Sequence, residues 1–139
     1  MSKSNLTPEA MLAKAEQASS SARALLERGD VDGSTNRAYY AMFDAARAAL
    51  LASNAPVDLE QVRTHTGLIG AFGEHLVKNG IVSKDIGHFL RRAQKVRMVA
   101  DYDGDSVESE EARAIVEQAE TFVSAMRAQF MPDNGDDAP

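Results

Sequence analysis

Apolar residues recur every three or four positions along most of this chain, and no stretch alternates in twos, so the pattern predicts helices and no strands. Leu12, Ala15, Ala18, Ala22, Leu25 and Leu26 mark one face of a helix from about Thr7 to Arg28. Thr7 is a good N-cap, Pro8 suits the first turn, and Gly29 stops the helix. Tyr39, Met42, Phe43, Ala46, Ala49 and Leu50 mark a second helix, from Asp30 or Ser34 to Ser53, ended by Asn54-Ala55-Pro56. The segment to about Val62 reads as a loop. Leu68, Ile69, Phe72, Leu76 and Val77 give a third helix, roughly Thr64 to Lys78, and Asn79-Gly80 terminates it. A fourth starts near Ser83, turns Ile86, Phe89, Leu90, Ala93, Val96 and Ala100 inward, and breaks at Asp103-Gly104-Asp105. The fifth runs from Ser106 or Glu108 to Met131, with Ile115, Ala119, Phe122, Val123, Met126 and Phe130 as its stripe. The result is an all-α, up-and-down bundle of four to five helices in one domain over residues 1–131. The acidic tail, residues 132–139, is expected to be disordered.

Composition narrows this picture. At 139 residues the chain suits one domain with a real core. It has no cysteine, which excludes structural disulfides and thiolate zinc sites and fits a reducing compartment. No apolar run is long enough for a membrane span, and the N-terminus has no signal core, so a cytoplasmic location is expected. The net charge of −6 argues against a generic basic coat for nucleic acid. The charge is uneven, however. Residues 84–97 carry five Lys or Arg against one Asp, whereas residues 101–120 carry eight acids against Arg113.

The basic island leads into KVRMVADY, residues 95–102. Arg97 follows Ala93 by four residues and Leu90 by seven, so it borders the apolar stripe. A guanidinium forks onto phosphate oxygens and stays charged. Asp101, four residues on, offers the bland alternative: an exposed ion pair contributing about 0.3–0.5 kcal/mol. Tyr102 lies about 140° around an ideal helix from Arg97, so the two converge only where the helix ends or bends, or across two subunits. A phenol is a poor base at neutral pH but can donate to phosphate or stack on a base. The ordinary alternative is a packing tyrosine.

Three segments together, NRAYYAMFDAARAALL (36–51), THTGLIGAFGEHLVKNGIV (64–82) and RMVADY (97–102), resemble the HEPN superfamily of small helical domains. The resemblance spans about residues 7–130 and is nearest to short stand-alone bacterial and archaeal members. It implies a helical bundle that dimerises, with RNA or nucleotide as ligand and metal-independent ribonuclease or toxin activity. It also implies a minimal nucleotidyltransferase antitoxin as partner, an enzyme class that in related systems modifies a tyrosine near the motif. The family's motif is Arg, four to six residues, then His. Arg97 fits the arginine, but Tyr102 stands in the His position and no His follows.

Arg97, Tyr102, Asp101 and His65 are therefore the candidate catalytic residues, with His65 replacing the missing imidazole if it reaches Arg97 in space. Otherwise His65 is a helix cap or a surface residue. Asn36, Arg37 and Tyr40 are candidates for a polar cleft binding RNA or nucleotide, beside a Tyr39–Met42–Phe43 face that reads as core. Arg91, Arg92 and Lys95 would extend a phosphate track, or else form a solvated helix face. His75 and His88 have no patterned partners, no spacing suits a metal, and no cofactor is expected. Three functions stay open: an RNA-binding toxin that cuts its ligand, a non-catalytic module for nucleotide or nucleotidyltransferase, and a plain interaction bundle.

Overall fold

The computed structural model describes residues 7–102 and 107–131. Five α-helices follow one another among these residues: α1 Pro8–Glu27, α2 Val31–Ala52, α3 His65–Phe72, α4 Lys84–Tyr102 and α5 Ser109–Phe130. Local chemistry sets their ends. The Thr7 side chain accepts from the Ala10 amide, and Asp30 accepts from the Gly33 amide. Gly29 takes a φ of +90°, which only glycine adopts without strain, and so lets α1 turn sharply into α2. Ser83 caps α4 by accepting from Ile86 N at 3.2 Å.

α2 is the central helix. Ala38, Ala41, Ala45, Ala46, Ala48 and Ala49 are fully buried along it, and these small side chains let neighbours close in on more than one side. α1 and α5 pack against α2 through Leu12, Ala15, Ala22, Ile115, Ala119 and Phe122. Phe72 of α3 meets Phe122 with ring centroids 5.5 Å apart. α4 is buried along one stripe only, Leu90, Ala93, Val96 and Arg97; Ile86, Phe89 and Ala100 are half-covered.

Two details differ from the sequence expectation. The segment before α3 is not all loop, because Gln61–Arg63 forms a 3-10 turn that buries Val62. The third helix is not uniform either: α3 passes into a π-helical turn, Gly73–Val77, closed by Lys78 N donating to Gly73 O. The expected break at residues 103–105 and the tail at 132–139 lie outside the described residues.

Candidate functional site

The site grows from α2. Tyr39, Tyr40 and Phe43 share one side of this helix at spacings of one, three and four residues. Tyr39 is fully buried, Phe43 nearly so, and Tyr40 half-buried. A buried tyrosine needs a partner for its hydroxyl. That partner is His65, whose Nδ1 lies 2.6 Å from the Tyr39 hydroxyl.

His65 is placed by the start of α3. Thr64 is the N-cap, and its hydroxyl accepts from the Gly67 amide at 3.0 Å. Gly67 must be glycine, because a Cβ there would stand 1.9 Å from the Gln61 carbonyl oxygen. This close approach ties the helix start to the 3-10 turn and sets His65 against α2. Its ring stacks on Tyr39 at 5.4 Å and 15°, and lies 5.1 Å from Phe43 and 5.9 Å from Tyr40.

Arg97 reaches the same place from α4. Its Cζ sits 5.0 Å from the Tyr39 ring centroid and 5.9 Å from that of Tyr40. Its Nη1 donates to Asp101 Oδ2 at 2.6 Å, and its Nη2 to Gln94 Oε1 at 3.4 Å. The residue is only 6% exposed, so the bridge to Asp101 is not the exposed surface pair of the simplest expectation. A guanidinium out of water is costly unless paired and hydrogen-bonded. Here the carboxylate and two aromatic faces supply the compensation.

The electrostatics follow from this crowding. Burial pulls the His65 pKa below its usual value, and the nearby Arg97 charge pulls the same way. Burial pushes the Tyr39 phenol up, more than the Arg97 charge lowers it. At neutral pH the pair is therefore a phenol and a neutral imidazole. A fully buried phenol that accepted from Nδ1–H would leave its own proton without an acceptor. Tyr39 therefore donates to Nδ1, which puts the imidazole proton on Nε2. The cluster then offers donors, Arg97 N–H and His65 Nε2–H, and suits an anion more than it suits removal of a proton.

The other candidates are distributed around this core. Asn36 is half-buried one turn before Tyr40, and Arg37 is exposed with its Cζ 5.9 Å from the Tyr40 ring. Arg91, Arg92 and Lys95 are exposed on α4, about 120–160° around the helix from Arg97. The structure does not bring them to the Arg97 cluster. They line a separate groove of 420 Å³ with His88, Ile69 and Gln94, and Gln94 touches both places. The side chain of Tyr102, and so its expected convergence with Arg97, lies outside the described residues. Among the described residues no three of His, Cys, Asp and Glu gather as metal ligands. The residue that sequence reasoning missed is Tyr39, read as core alone. Its hydroxyl in a buried stripe signalled that a partner was needed, but not which one.

The arrangement joins the three segments that carried the resemblance: α2 with its paired tyrosines, the THTGL start of α3, and the RMVADY end of α4. A model of the HEPN domain matches residues 8–129. A UPF0332 protein of Gloeobacter violaceus is 34% identical over 122 residues, covering 85% of this chain and 93% of its own length. A protein of Methanocaldococcus jannaschii whose name calls it a "putative toxin" is 33% identical over 119 residues, 86% of this chain and 85% of its own. A Thermotoga maritima UPF0332 protein is 33% identical over 115 residues, covering 81% of this chain and 83% of its own. With nearly all of its helical core matched in this way, the chain belongs to the HEPN domain family.

Proposed function

We propose that this protein is a toxin-like HEPN protein that receives a phosphate group of RNA at Arg97, in a cleft completed by a second copy of the chain. The observation that carries the reading is the convergence of Arg97 and His65 on the Tyr39–Tyr40 pair. A charged donor, a neutral imidazole donor and a half-buried aromatic face stand within one cluster. They match the three features of a nucleotide: charge, phosphate oxygens and a base with a π-face. Two relatives whose names call them a "putative toxin" support the functional class. Met98, 44% exposed and three residues before Asp101 on the same side of α4, supports pairing of two copies near the site.

In this reading Arg97 exchanges part of its contact with Asp101 for phosphate oxygens, and His65 Nε2–H adds a neutral donor. Tyr39 positions the imidazole. Metal-independent cleavage would need a group to take the 2′-hydroxyl proton and another to protonate the leaving 5′-oxygen. The tautomer fixed by Tyr39 supplies a donor and not the acceptor, which favours binding over cutting. The same observation favours a second reading, a non-catalytic module whose physiological partner is a nucleotidyltransferase.

The test is binding and cleavage of single-stranded RNA by the parent, Arg97→Ala and Arg97→Lys. Loss of hydrogen bonds from a charged donor costs about 1.5–3 kcal/mol, so Arg97→Ala should weaken binding about 10- to 100-fold. Arg97→Lys keeps the charge and loses the fork, so it should fall between. Equal affinity in all three proteins, each checked for native helicity, refutes the proposal. In sedimentation velocity the parent should run as a dimer and Met98→Glu as a monomer.

A further inference from the structure

α1 and α2 enclose a second cleft, of about 520 Å³, to which the cluster around Arg97 contributes no residue. Lys14 and Arg28 of the α1 side and Arg37 of α2 bring three cations to it, against the single carboxylate of Asp44. Gln17 and Ser21 add neutral polar groups, and Leu25 with two alanines gives an apolar floor. In a chain of net charge −6, a concave surface with a threefold excess of cations over acids is an anion site by its electrostatics. Arg37 also connects the cleft to the site described above. Its guanidinium carbon and that of Arg97 each lie 5.9 Å from the centroid of the Tyr40 ring, so the two charges are at most twice that distance apart.

We propose that this cleft is a second phosphate subsite for the same RNA strand, which passes from Arg97 across Tyr40 and Arg37 to Lys14 and Arg28. The inference rests on the reading of Arg97 as an RNA phosphate receptor. Tyr40 serves as the stacking platform between two cationic stations, an arrangement that suits single strands because every base has a π-face. Asp44, which lines the cleft near Lys14, Arg37 and Arg47, would accept from the N–H groups of a base edge. The two stations engage different phosphates, so a very short oligonucleotide occupies one and a longer one spans both.

The experiment is fluorescence anisotropy with labelled mixed-sequence RNA of about 4 and about 16 nucleotides. Parent protein is compared with a Lys14→Ser, Arg28→Ser double variant. Both side chains are exposed, and helical circular dichroism together with a Lys14→Arg, Arg28→Lys variant controls for folding and charge. The double variant should bind the long RNA about tenfold more weakly, with a log-log salt slope shallower by about 1.4, the value for two phosphates on a single strand. Its affinity for the short RNA at Arg97 should be unchanged, and the charge-preserving variant should behave as parent. Unchanged long-RNA affinity and slope in the double variant, with Arg97→Lys still weakened, overturns the second subsite and leaves the Arg97 reading standing. Failure of the parent to bind either RNA overturns both.

Discussion

Tyr39 holds a single hydroxyl in a fully buried position, and Nδ1 of His65 accepts its hydrogen bond. Tyr39→Phe keeps the ring and deletes this bond. The variant should lose about 0.5–1.5 kcal/mol of stability. The phenol favours the neutral imidazole, so its removal should also raise the His65 pKa, which NMR titration of the ring protons would report. Nitrogen shifts of parent His65 should show the proton on Nε2; a proton on Nδ1 would refute the assigned tautomer. The pH dependence follows from the same residue. The folded pKa of His65 lies below its unfolded value of about 6.5. Between the two values the unfolded chain binds more protons, so stability is full above about pH 6.5 and falls as acid is added through that window. Thermal melts from pH 7.5 to 5 should show this loss in the parent and a smaller one in His65→Gln.

Helix ends were legible in the sequence because caps are local. Thr7, Asp30, Thr64 and Ser83 each accept from a backbone amide three residues on, a relation readable from residue type and spacing. Gly29 and Gly80 adopt the left-handed φ that their places after helices require. The π-helical turn Gly73–Val77 was not legible, since its fit depends on what α4 presents to it: Arg91 reaches Gly73, and Val77 fills the space over Gly87. The site was half legible. Arg97 and Asp101 are neighbours on one helix, so their pairing follows from spacing four residues apart. Tyr39 and His65 are 26 residues apart, and only the packing of α3 on α2 brings them together. Gly67 is the element-scale test of that packing. Gly67→Ala would press a methyl group into the Gln61 carbonyl, so α3 should shift, stability should fall by about 1–3 kcal/mol, and RNA affinity should fall with it. Chemical denaturation and the anisotropy assay check the two effects separately.

Across the whole molecule, α1 is fastened to α5 by two ion pairs, Arg23 with Glu120 and Arg127 with Glu16. The first is bidentate, at 2.9 and 2.7 Å, and both partners are partly exposed. Glu120→Gln should cost no more than about 1 kcal/mol, and the loss should shrink in high salt as screening weakens the parent pair. α4 is tied to α5 by a single longer ion pair among the described residues, Arg92 with Glu111 at 3.8 Å, while Arg91 and Lys95 of its basic face are exposed. The bundle thus combines a closely packed α1–α2–α5 body with a more lightly packed helix that carries Arg97.

Asp101 gives this arrangement a consequence for discrimination. With no ligand, the carboxylate already occupies one end of the guanidinium fork, so Arg97 has an internal counterion in place. Any visitor must outcompete a carboxylate held at 2.6 Å by its own helix. Chloride, a single sphere of charge, gains little from such an exchange, whereas a phosphodiester brings two oxygens spaced for the fork. Replacing that internal rival with a neutral amide, as in Asp101→Asn, would therefore be expected to tighten the grip on all anions while blunting the preference among them.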